Sequence, residues 1–110
     1  MEGLKRGAII LLAAPGDYGK PRPALVVQSN LFLQAPSLTY CPITSEVRPE
    51  LERLRLTLNP SSLNGLKKTS AVMIDKVSTV QADRAKEVIG HLMESEQHVV
   101  DAALKLWLGL

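Results

Sequence analysis

Apolar residues fall along this chain in short, closely spaced clusters, and the spacing within each cluster predicts its conformation. Ala8-Ile-Ile-Leu-Leu-Ala-Ala14 is an unbroken apolar run, read as a buried first strand. Pro15 to Pro23 contains Pro15, Pro21 and Pro23 with Gly16 and Gly19, which excludes a helix and a central strand. Ala24-Leu-Val-Val-Gln-Ser29 is a β-branched stretch expected as a short strand, and residues 38–43 predict another. Pro42 within the latter requires an edge or a bulge. Arg53-Leu-Arg-Leu-Thr-Leu58 alternates cleanly, with Leu54, Leu56 and Leu58 on one face and Arg53, Arg55 and Thr57 on the other. Asn59 to Ser62 and Asn64-Gly65 mark turns, and Ser70 to Ile74 is a further strand. Residues 86–92 fit helix or strand, Gly90 weakening the helix. The last segment predicts a helix capped by Ser95, with Glu96 in its first turn and Gly109 at its end. Its broad apolar stripe holds Val99, Val100, Ala103, Leu104, Leu106 and Trp107. Short, closely spaced strands favour a small β-barrel or sandwich.

Composition narrows this only slightly. At 110 residues there is room for one domain, 1–110, with an ordinary apolar fraction of 45%. The single cysteine, Cys41, allows no intrachain disulfide and points to the cytoplasm. Lys5 and Arg6 before the apolar run faintly resemble a signal peptide, but Pro15-Gly16 stands where a small-residue cleavage site belongs. No run approaches the ~20 apolar residues of a membrane span. The net charge is +2, yet residues 1–82 hold Lys and Arg in excess, while 83–110 lean acidic. A basic body with an acidic tail suits an anionic partner, though ordinary scatter accounts for the charge equally well.

Most chemical motifs are missing, including a Gly-rich phosphate loop and a nucleophile elbow. His91 and His98 have no second cysteine and no third histidine to build a metal site with. What stands out is Gly16-Asp-Tyr-Gly-Lys-Pro-Arg-Pro23, placed just before a strand. Its glycines let a ligand approach, and its prolines restrict where Lys20 and Arg22 point. A guanidinium there suits phosphate oxygens, and Tyr18 could stack on an unpaired base. A stiff loop with solvated charges is the plainer reading. Thr44 and Ser45 at a strand end could bond a phosphate or simply cap a turn. Asp75 closes another strand.

Taken in order, these segments resemble MazF/PemK-type toxins of bacterial type II toxin–antitoxin systems, over essentially the whole chain. The resemblance rests on Arg6-Gly7, Gly19 to Gln28 with its Arg-Pro-Ala-Leu-Val-Val-Gln core, Pro42-Ile-Thr-Ser45, Gly65 to Val80, and Leu108-Gly-Leu110. It implies a mainly β, SH3-like barrel with a C-terminal helix, a strand at 86–92, and a homodimer. It further implies an endoribonuclease that cuts single-stranded RNA without metal or cofactor. In such enzymes the 2′-OH attacks the phosphorus, leaving a 2′,3′-cyclic phosphate and a 5′-OH. By position Arg22 matches the family's catalytic arginine and Thr44 its catalytic threonine, with Ser45 beside it. Asp75 matches an acidic position that serves catalysis in some relatives. Asp17, Tyr18, Gly19 and Lys20 become candidate RNA-binding residues. Met73 stands where some relatives have arginine, and the first loop lacks their histidine, so the general acid and base stay unassigned among Asp17, Lys20 and Arg22.

The implied partner is an antitoxin, a small acidic protein whose tail folds over the basic loops and which brings DNA binding to the pair. CcdB-type toxins share the fold but bind gyrase through C-terminal residues, and Trp107-Leu-Gly109 is loosely similar to theirs. The Arg22/Thr44 pair favours RNA cleavage, with Trp107 filling the helix-packing face. A silent relative that only binds antitoxin or RNA is the third reading.

Overall fold

The computed structural model describes residues 1–110. Strands β1 (Ala8–Leu12), β2 (Arg22–Val26), β3 (Ser37–Thr44), β4 (Arg55–Leu58), β5 (Ser70–Met73), β6 (Ser78–Gln81) and β7 (Ala85–His91) precede one helix, α1 (Glu94–Leu108). All pairings are antiparallel, in the order β4-β5-β3-β2-β1-β7, with β6 added beside β3. This is the mainly β architecture with a C-terminal helix that the sequence implied, and residues 86–92 are strand up to His91. β6 was not anticipated: Ser-Thr-Val-Gln is almost wholly exposed and carries no apolar signal.

The central strands bury both faces. One cluster takes Ile9, Leu25, Cys41, Ile43, Leu58, Val72 and Ile74, and the other takes Ala8, Ile10, Leu12, Ala24, Val26, Leu38 and Tyr40. Two-sided burial explains why β1 reads as a continuous apolar run rather than an alternation. Helix α1 covers the first cluster through Val100 and Leu104.

Two features of α1 differ from expectation. Its cap is Met93, whose N–H donates to the Glu96 carboxylate at 2.8 Å, and Ser95 lies inside the first turn. Its buried stripe is also narrower, since Val99, Leu106 and Trp107 are about half exposed. Trp107 therefore does not fill the packing face. It lines a shallow groove with Leu51, Leu54 and Leu106 instead.

Pro42 is accommodated without an edge strand. β3 pairs with β2 throughout its middle, but on its other side Ser37–Tyr40 pair with β6 and Ile43–Thr44 with β5. Cys41 and Pro42 fall in the gap. Counting the alternation from the Val27 N–H to Thr39 C=O bond turns the proline's missing N–H into that gap, where no ladder bond is lost.

Arg6 ties the helix to the sheet. Its Nε donates to the Val27 carbonyl at 3.0 Å and its Nη1 to Asp101 Oδ1 at 2.7 Å. Burial works to raise the Asp101 pKa, but hydrogen bonds from Gln97 and Arg6 outweigh it and hold the carboxylate below its ordinary value.

The loop between β4 and β5 crosses to the far edge of the sheet. Asn64, 3% exposed, accepts from the Ser61 and Leu66 N–H groups and donates to the Asn59 carbonyl. The His91 N–H donates to Leu63 O at 2.9 Å, which fastens the loop to β7. Gly65 has φ +69°, and a Cβ there would collide with the Ile89 carbonyl oxygen. A Cβ on Gly90 would run into the Asn64 carbonyl, so the residue that weakened a helix at the sequence level admits this close approach.

Burial sets the expected stability losses. Leu58→Ala should cost about 2–5 kcal/mol, because Leu58 is wholly buried. Trp107→Ala should cost about 1 kcal/mol or less at its half-exposed site. Urea denaturation of the two variants beside the parent checks both values.

Candidate active site

A cleft of about 750 Å³ opens where β3 ends. Its floor carries Tyr40, Pro42, Thr44 and Ser45 from β3 and the residue after it. β2 contributes Arg22 at one side, and Lys67, Lys68 and Met73 come from the approach to β5 and from β5 itself. Asp17 and Glu87 add the carboxylates. Thr44 and Arg22, far apart in sequence, are brought together because β2 runs antiparallel to β3 and starts beside its end.

Arg22 is held loosely. Its Nε lies 3.4 Å from Asp17 Oδ1, and its side chain is 58% exposed, so the guanidinium keeps donors free for an anion. The loop before it is pinned by backbone bonds from Asp17 N–H to Ala14 O and from Lys20 N–H to Asp17 O. Thr44 Oγ1 accepts the Glu46 N–H at 3.1 Å. It thus caps the turn, the plainer of its two expected roles, while its own O–H remains able to donate. Tyr18, Gly19 and Lys20 are exposed at the loop tip, outside the cleft lining, and Tyr18 takes a left-handed φ of 54°.

Asp75 also lies outside the lining. Its two oxygens accept Nε and Nη2 of Arg55, each at 3.1 Å, with side chains 8% (Arg55) and 19% (Asp75) exposed. Hydrogen bonds from Arg55 are the leading reason its pKa falls below the ordinary value. Arg55 sits directly across from Met73 in the β4–β5 register. The alternation had placed Arg55 on the open face of its strand, and nothing in that pattern pointed to a buried ion pair. Lys67, Lys68, Tyr40 and Glu87 were missed as lining residues, because only the fold gathers them.

Cys41 is adjacent to the cleft residue Pro42 but buried in the core, and burial pushes its thiol up to about 12. It is no nucleophile at neutral pH. No three His, Cys, Asp or Glu side chains gather in a group able to hold a metal ion. What the cleft offers chemically is a guanidinium, ammonium groups and hydroxyl donors, with the carboxylates of Asp17 and Glu87 among them.

Residues 5–108 match the family described as PemK-like, MazF-like toxin of type II toxin-antitoxin system. The chain belongs to that family. It is 37% identical over 108 residues to the probable endoribonuclease MazF of Mycolicibacterium smegmatis, covering 97% of this chain and 98% of that protein. Among solved structures, the Mycobacterium tuberculosis toxin MazF-mt6 superposes with a TM-score of 0.79 at 23% identity, over 94% of this chain and 97% of that one. A MazE-MazF structure from Deinococcus radiodurans gives 0.78 at 24% identity, covering 97% of both. An endoribonuclease described as in complex with its cognate antitoxin, from Mycobacterial species, gives 0.81 at 20%, over 98% and 97%. These structures share the fold of this toxin-family chain.

The Arg55–Asp75 pair makes a prediction about pH. A carboxylate whose folded pKa is depressed adds stability above its unfolded pKa and loses it as pH falls through the folded one. The stability gap between the parent and Asp75→Asn should therefore be full at neutral pH and shrink below pH 3.8, the ordinary carboxylate value. Arg55→Met, which strands a mostly buried carboxylate, should cost about 3 kcal/mol at neutral pH. Denaturation curves across acid pH check both.

Proposed function

We propose that this protein is an endoribonuclease toxin that cuts single-stranded RNA and is neutralised by a cognate antitoxin. The observation that carries this is the meeting of Arg22 with Thr44 and Ser45 in one cleft, in a chain so similar along its length to a probable endoribonuclease. The same reading takes the working form as a homodimer in the cytoplasm. No helix is long and apolar enough to cross a membrane.

The chemistry follows from the side chains. The ribose 2′-OH beside the scissile phosphodiester attacks phosphorus and gives up its proton. The P–O5′ bond breaks, and the departing 5′-oxygen takes a proton, which leaves a 2′,3′-cyclic phosphate and a 5′-OH. Negative charge grows on the non-bridging oxygens in the transition state, and Arg22 donates to them there. The Thr44 hydroxyl, oriented by the turn it caps, and the exposed Ser45 hydroxyl supply further donors. No step requires a metal. Asp17, Tyr18, Gly19 and Lys20 form the loop that receives the strand, with Tyr18 offering its ring to a base. Asp75 contributes through its hold on Arg55. An acidic antitoxin segment would compete with RNA for the same cations.

The exposure of Trp107 near the carboxyl end is the one observation that favours the gyrase-binding alternative. A single assay separates the readings: purified protein with a long single-stranded RNA in EDTA, with Arg22→Ala alongside. Discrete cuts bearing 2′,3′-cyclic phosphates are expected, reduced about 100–1,000-fold in the variant at unchanged thermal stability. Intact RNA from a folded parent that blocks gyrase supercoiling selects the alternative.

A further inference from the structure

One wall of the cleft carries cations to which the chemistry above gives no work. Because β2 and β5 both run antiparallel to β3, the end of β3 is flanked by Arg22 at the start of β2 and by the start of β5. Lys67 and Lys68 stand just before β5, exposed and lining the cleft.

Their backbone is fixed from several directions. Leu66 is buried and donates its N–H to Asn64 Oδ1 at 2.9 Å. Gly65 packs beneath the Ile89 carbonyl. The Ser70 hydroxyl donates to the Lys68 carbonyl at 2.8 Å. The roots of the two side chains are thus fixed at the mouth of the site, and each ammonium reaches into it on a flexible stem. They also lack counter-ions: every ion pair in the molecule is made by an arginine. Uncompensated cations on a rigid wall, beside a site that already has a guanidinium for one phosphodiester, fit a ligand with more than one phosphate.

We infer that Lys67 and Lys68 hold backbone phosphates flanking the scissile one. The substrate is then a strand with at least one phosphodiester beyond the bond that is cut, gripped there by charge and not by base identity. This rests on the ribonuclease reading, and the test keeps the two separable. The probe is a fluorescein-labelled single-stranded oligoribonucleotide carrying 2′-O-methyl groups throughout, which cannot attack its own phosphorus. Binding is followed by anisotropy as KCl is raised.

For the Lys67→Ala/Lys68→Ala variant, the slope of log affinity against log salt should flatten by about 1.4, at about 0.7 for each phosphate no longer neutralised. Lys105→Ala, on exposed α1, should match the parent. On cleavable RNA the double variant should raise KM and leave kcat unchanged. On a dinucleotide holding only the bond that is cut, parent and variant should coincide. A Lys67→Gln/Lys68→Gln pair should reproduce the effect, showing that charge and not bulk is at work. An unchanged salt slope overturns the inference, as does a fall in kcat at constant KM. A parent that binds the probe but cuts no RNA overturns the activity reading alone, and the binding slopes still decide the role of the lysines.

Discussion

The fold turns on Asn64. A six-strand path of antiparallel pairs leaves β4 and β7 as open edges, and open edges expose unpaired backbone groups. The β4–β5 loop answers this by reaching across to β7. It can do so only because the buried Asn64 amide organises the turn, while Gly65 and Gly90 remove the side chains that would hold the two backbones apart. Leaving such a buried amide unpaired would cost more than most single interactions supply, so the loop is committed to this geometry. The same commitment sets the position of the cleft's lysine wall. Barrel closure and construction of the site are one event.

A second constraint acts at the middle of β3. The strand changes partner from β6 to β5 at Cys41 and Pro42, and the short turn Ile74–Lys76 spans the two partners. Asp75 lies in that turn and is gripped by Arg55 from β4, which joins the outer strand to the point of exchange. Thr44 and Ser45, the hydroxyl donors of the cleft, follow directly after. Their position depends on a proline where the ladder has a gap and on an ion pair that holds the gap's far side.

Much of this was readable from the residues. The buried first strand, the proline-rich loop and the turn at Asn64-Gly65 each follow from local pattern, and the family resemblance resolved residues 86–92. Arg22 and Thr44 were identified by position, and the structure places both on one cleft. Three things were not legible, each for a physical reason. β6 has too few apolar side chains to show a period. Arg55 looked solvated because strand alternation distinguishes faces but does not reveal a carboxylate arriving from another turn. The helix stripe was drawn too wide because an apolar residue at helical spacing need not be covered, and Trp107 is not.

The lone thiol has a practical meaning. Cys41 sits fully buried in the core, its thiol kept protonated by its surroundings, so maleimides and other thiol reagents find nothing to attack on the native surface. The natural chain is in this respect already a cysteine-silent scaffold. A single cysteine placed at the exposed tip of the first loop, at Tyr18, would be the one accessible thiol in the molecule. It could carry a spectroscopic reporter to the mouth of the cleft without removing any native residue from the core.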